Sequence, residues 1–122
     1  MVNFGPEDTV PQEFQSRNLY VHNPTVTLMR TTVDENAELG RVMAEKLNRA
    51  TGPTVVAVPL KGVSAIDVDG GPFRDADADA AWLENLKEGL KPGIEVVEVE
   101  ADVNDPEFSN RVVELFLNLM NA

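Results

Sequence analysis

The stretch Tyr20–Thr32, YVHNPTVTLMRTT, gathers the chain's single histidine, an asparagine, an arginine and four threonines into thirteen residues. Imidazole exchanges a proton near neutral pH, a guanidinium forks onto carboxylate or phosphate, and hydroxyls donate to the same anions. A second polar set, Lys61, Gly62 and Ser64, opens the glycine-containing segment KGVSAIDVDGGPFR at 61–74, which Arg74 closes. These cations fall in segments that follow strand-like runs, whereas many of the acids fall on helix-like runs or on the last strand-like run. A local basic spot on an acidic chain points to a small anionic or nucleotide-like ligand, and free N–H groups at helix starts near Thr31–Thr32 and Asp75 would add to the attraction. The candidate ligand-binding residues are therefore His22, Asn23, Arg30, Thr31, Thr32, Lys61, Gly62 and Ser64. A plainer reading stands beside this one: the two threonines cap a helix, Lys61 is solvated, and His22 is a hydrogen-bonded residue at a strand end.

Other chemistries find less support. One histidine and no cysteine leave only carboxylates to complete a transition-metal site, so no metal is expected. An EF-hand loop starting at Asp75 would need glycine at its sixth position and glutamate at its twelfth, where Ala80 and Leu86 stand. There is no Gly-x-Gly-x-x-Gly, no phosphate-loop Gly-Lys-Ser/Thr, and Ser64 lacks the Gly-x-Ser-x-Gly context of a hydrolase nucleophile. No catalytic residue is assigned. Two alternatives stay open: a hydrolase or lyase acting on a phosphorylated or carboxylated metabolite, with His22 as acid or base and Lys61 as an electrostatic stabiliser, and a protein-interaction module, which would carry a large exposed apolar patch.

The elements that must position these residues follow from pattern. Residues 1–17 are polar and proline-punctuated and read as an extended arm, in which Phe4 and Phe14 need burial. Asn18–His22 has strand composition and Asn23-Pro24 stops it; Thr25–Arg30 alternates as extended chain. Thr32-Val-Asp-Glu35 is a capping box, and Leu39, Val42, Met43 and Leu47 follow at helical spacing until Gly52-Pro53. Thr54–Leu60 is an apolar run without alternation, the mark of a strand covered on both faces. A helix over Asp75–Leu90, a strand over Ile94–Glu100, and a helix capped by Asn104-Asp-Pro-Glu107 with the stripe Phe108, Val112, Leu115, Phe116 and Leu119 complete the order.

That order is β-α-β-α-β-α, which predicts an α/β fold: a three-layer Rossmann-like fragment with a mainly parallel sheet, residues 18–122 forming one domain behind the 1–17 arm. In such sheets ligands sit outside the carboxyl ends of the strands, which would bring the candidate residues to one rim. Three strands make a thin sheet, so the arm, an extra strand or a second subunit must cover an edge, and a homo-oligomer is expected. The balance of 21 acids against 10 bases, a formal charge of −11, repels nucleic acid and anionic lipid. No apolar run approaches the roughly 20 residues of a membrane span, and MVNFGPEDTV has no signal-peptide character. With zero cysteines the chain fits a reducing cytoplasm.

The phrases HNPTVTLMRTT at 22–32, ENAELGRVMAEKLNRATGP at 35–53, VPLKGVSAIDVDGGPF at 58–73 and VNDPEF at 103–108 resemble one family across nearly the whole chain. It is the C-terminal part of the bacterial and fungal proteins related to the tomato mosaic virus resistance protein, a family described as having an ATP-binding domain. The resemblance implies two α/β domains in tandem in the longer members, with this chain corresponding to part of the second. ATP binding in the family is attributed to the N-terminal portion, so the resemblance assigns no cofactor to these residues. It implies no established reaction for the bacterial members.

Overall fold

The computed structural model describes residues 1–122. The chain divides into two compact units, Met1–Thr32 and Val33–Ala122.

The first unit is a three-stranded antiparallel sheet. β1 (Val2–Phe4), β2 (Leu19–Asn23) and β3 (Val26–Met29) lie in the order β1-β3-β2, so β3 is paired on both sides. Val2 faces Met29 and Phe4 faces Thr27 across one pair; Leu19 faces Met29 and Val21 faces Thr27 across the other. The residues expected as an extended arm thus supply a strand and two 3-10 turns, at Glu7–Thr9 and Gln12–Phe14. Phe4 and Phe14 find their burial against each other, with ring centroids 5.9 Å apart. Val10 and Met29 are buried, as is Thr27, whose hydroxyl has no hydrogen-bond partner.

The chain does not form the expected single, mainly parallel sheet. The proline after Asn23 does not end a parallel strand; it forms a two-residue hairpin turn with Thr25. The Asn23 carboxamide oxygen accepts from the Thr25 backbone N–H and from its hydroxyl, both at 2.9 Å, an Asx turn that reverses the chain directly into β3. Pro24 suits the turn because its fixed φ costs the reversal nothing.

The second unit carries α1 (Val33–Leu47), β4 (Val55–Pro59), α2 (Ala76–Gly89), β5 (Glu95–Val99) and α3 (Pro106–Met120). β4 and β5 form a two-stranded parallel sheet, Val55 opposite Glu95 through Pro59 opposite Val99. The fold is therefore mixed α/β, with one parallel and one antiparallel sheet. Side chains alternate across β4: Val56 and Val58 enter a core with Ala44 of α1 and Leu86 of α2, while Val55 and Ala57 face α3. Caps fix the helix starts. The Asp75 carboxylate accepts from Ala78 N–H at 2.9 Å, and Asp105 from Glu107 N–H at 2.8 Å with Pro106 at the first helical position. No helix is long and apolar enough to cross a membrane.

The inward face of α1 differs from the expected stripe. Asn36, Gly40 and Ala44 are buried, while Leu39, Val42 and Met43 are exposed. The reason is close approach to α2: a Cβ on Gly40 would lie 2.4 Å from the Trp82 carbonyl oxygen, so the contact takes small residues and turns the large ones outward. Asn36 donates from its carboxamide to the Ala78 carbonyl at 2.8 Å, which satisfies the polar member of that face.

Candidate functional site

The candidate ligand residues divide between the units, and the common rim expected from a single parallel sheet does not follow from these two sheets. In the first unit, His22 is the residue at which the β2–β3 register shifts, an extra residue between Val21 and Asn23. It is exposed and its ring lies 6.4 Å from that of Tyr20. Asn23 is occupied by the turn. Arg30, Thr31 and Thr32 follow the other end of β3, with Arg30 and Thr31 buried and Thr32 exposed. The Arg30 N–H donates to the Asn18 carbonyl at 2.9 Å, and the Arg17 guanidinium donates to the Arg30 carbonyl at 2.9 Å, so this segment continues the sheet. His22 and Arg30 are thus separated by the full length of β3.

In the second unit, the segment after β4 does meet the strand-end rule, since β4 and β5 are parallel. Leu60 and Lys61 donate to the carbonyls of Val99 and Ala101 at 2.9 and 3.1 Å, and Val103 N–H donates to Gly62 O at 2.9 Å, which ties this exit to the exit of β5. Gly62 adopts a φ of 140°, and a Cβ there would lie 1.8 Å from the Asp67 carbonyl oxygen, so no other residue fits. Ser64 accepts from Ile66 N–H at 3.2 Å and keeps its own proton to donate.

What holds this loop is a carboxylate cluster that the sequence reading did not identify. Asp67 is fully buried and accepts from Val63 N–H at 3.1 Å. The Arg74 guanidinium reaches Asp79 at 3.0 Å, Asp69 at 3.2 Å and Asp67 at 3.7 Å. Phe73, also fully buried, anchors the same segment, its N–H donating to Ile66 O at 2.9 Å. Arg74 is therefore spent on structure: one guanidinium among three carboxylates offers no net attraction to an anion. Lys61, by contrast, is exposed and forms no ion pair. A cavity of about 140 Å³ beside Arg74 is walled mainly by Leu60, Val63, Trp82 and Leu83. No group of three or more acids and histidines is arranged to hold a metal ion.

Two units, an antiparallel sheet followed by a β-α-β pair with a glycine-bound strand-end loop, define the class of chain as a mixed α/β one with a candidate site at the carboxyl end of β4. Residues 1–120 match the family described as Uncharacterised protein family (UPF0261) C-terminal domain, and the chain belongs to that family. It is 51% identical over 121 residues to a UPF0261 protein of Clostridium tetani, covering 98% of this chain and 30% of that one. It is 43% identical over 121 residues to the ToMV resistance protein Tm-1 of Solanum lycopersicum, covering 98% and 16% of the two. A UPF0261 protein of Rhizobium meliloti is 42% identical over 123 residues, 99% of this chain and 31% of its own. The chain thus spans about a third or less of the length of the curated relatives it matches.

Proposed function

We propose that the loop after β4 supplies part of a binding site for a small anionic or nucleotide-like ligand in proteins of this family, with Lys61, Gly62 and Ser64 as the contribution of this chain. The observation that carries the reading is the contrast between the two cations of the loop. Arg74 is enclosed by Asp67, Asp69 and Asp79, whereas Lys61, at the carboxyl end of a parallel strand, is exposed and bears no carboxylate. Gly62 allows a ligand to approach the backbone, Ser64 has a proton to donate, and the buried Asp67 and Phe73 make the loop rigid before any ligand arrives, which lowers the ordering cost of binding. His22 and Asn23 serve the hairpin between β2 and β3.

The test uses the Clostridium tetani protein with its matched stretch replaced by these 122 residues. Thermal-shift measurements with inorganic phosphate, pyrophosphate, ATP and small dicarboxylates should give at least one stabilising probe, since saturating ligand at a hundred times Kd stabilises by about 2.7 kcal/mol. Lys61→Ala and Ser64→Ala should reduce that shift while leaving the unliganded melting temperature in place. A shift of equal size in the parent and in both variants would sink the reading.

A further inference from the structure

The cavity of about 140 Å³ beside Arg74 lies between the end of β4 and the first turns of α2. Leu60, Trp82 and Leu83 line it and also pack against the core of Val56, Val58 and Leu86, so its walls are supported from behind. The space exists because α2 turns Ala76 and Ala80 toward it, four residues apart on one helix face, where longer side chains would fill it. Both alanines are exposed, which puts them at the mouth.

The walls select what can enter. The two charged side chains on the cavity, Arg74 and Asp79, are paired with each other at 3.0 Å. A nucleobase would bring a rim of donors and acceptors that such walls leave unanswered, and each polar group left unpaired out of water weakens binding. A compact apolar group meets no such penalty. Size selects as well: an apolar cavity of roughly 150 Å³ takes up one benzene ring, and Trp82 offers such a ring an aromatic neighbour. The cavity also borders the loop after β4, since Leu60 and Val63 both line it and bracket Lys61 and Gly62 in the chain, with Ser64 following directly.

We propose that this cavity is the apolar subsite of the ligand bound by Lys61 and Ser64, and that the ligand is a small aryl-bearing anion rather than a nucleotide. One benzene-sized ring enters between β4 and α2, and the phosphate or carboxylate attached to it stays at the loop. The charged half of this assignment rests on the anion site described above; the apolar half rests on the cavity alone.

Two measurements take the halves separately. Trp82 is the only tryptophan of the 122-residue chain, so its emission reports on the cavity wall, and benzyl alcohol, which has the ring without the charge, should change that emission saturably. In the chimera, titration calorimetry should find benzyl phosphate roughly tenfold tighter than inorganic phosphate, because the ring leaves water. Ala80→Leu plugs the mouth with a good helix former; it should keep the melting temperature, erase the emission change, and bring benzyl phosphate down to the affinity of inorganic phosphate. Ala76→Leu, one turn earlier at the same mouth, repeats the test if Ala80→Leu melts early. Lys61→Ala should leave the benzyl alcohol response intact and remove the advantage of benzyl phosphate over benzyl alcohol. An unchanged Trp82 emission, or benzyl phosphate no tighter than inorganic phosphate, overturns the subsite and leaves the anion site standing. Benzyl alcohol matching benzyl phosphate in the parent chimera removes the anion site, and the proposal with it.

Discussion

The two faces of β4 are packed on opposite principles. Toward α1 and α2 the strand sends Val56 and Val58 into a core closed by Ala44 and Leu86, and the two helices touch through Gly40 so closely that their backbones meet. Toward α3 it sends Val55 and Ala57 against Phe108, Val112, Leu115 and Phe116, and a groove remains. Both faces carry large side chains, Leu47, Trp82 and Leu83 packing against the closed core and Phe108 and Phe116 lining the groove. Small residues let a helix pair approach until dispersion contacts are complete, whereas bulky residues on a single helix over a two-stranded sheet have too little opposing surface to fill. Close packing here comes from fit rather than from hydrophobicity.

The strongest way to break that comparison is Leu86→Ala. Leu86 is fully buried in the closed face, and its loss should cost about 2–5 kcal/mol, seen as a lower urea midpoint with an unchanged slope. Leu115→Ala, on the α3 face, should cost less, because Leu115 already borders the groove and its neighbours have room to settle. Equal losses at both sites would mean that the faces are packed alike.

Next in size is Gly40→Ala. In an exposed helix interior this change gains up to about 1 kcal/mol of helix propensity. Here the new methyl would meet Trp82 O at 2.4 Å and Leu86 N at 3.0 Å, backbone atoms that cannot rotate away, so a net loss of about 1–3 kcal/mol is expected from chemical denaturation. Gly52→Ala, with nothing within 4 Å of its added Cβ, is the control and should stay within about 0.5 kcal/mol of the parent. A stabilised Gly40→Ala would show that the helices have slack between them.

These contrasts mark what was readable in the sequence. The helices and the strands from β2 onward were legible because capping and stopping are local: Asp75, Asp105-Pro106 and Gly52-Pro53 each act within a turn. The inward face of α1 was not, because periodicity assigns the core to Leu39, Val42 and Met43, and only the neighbouring helix reveals that Asn36, Gly40 and Ala44 are the ones in contact. β1 was hidden as three residues in a proline-rich stretch that become a strand only by pairing with β3. The hairpin was misread because Asn-Pro ends a strand equally well before a crossover and before a reversal. At the candidate site, the loop and its Lys61, Gly62 and Ser64 followed from position after an apolar strand. The neutralisation of Arg74 did not, since it depends on the chain folding back so that Asp67, Asp69 and Asp79 converge, and an aspartate in a glycine-rich segment looks solvated until that fold is known.

The smallest expected effect tests the open face itself. Phe116 is 59% exposed and Val113 is 56% exposed, so most of their apolar surface is in water before and after unfolding, and only surface removed from water stabilises. Phe116→Ser and Val113→Ser in the 122-residue chain should therefore cost only about 1 kcal/mol each, for the smaller part of each side chain that is covered, despite removing an aromatic and a branched side chain from a helix. Helix propensity adds little, because serine, phenylalanine and valine rank close together. Both variants should bind less of a hydrophobic fluorescent dye than the parent, since they erase part of an apolar patch. If either lost more than about 1.5 kcal/mol, the α3 face would have to be buried in the short chain, and the difference between the two sides of β4 would reduce to a difference in side-chain size.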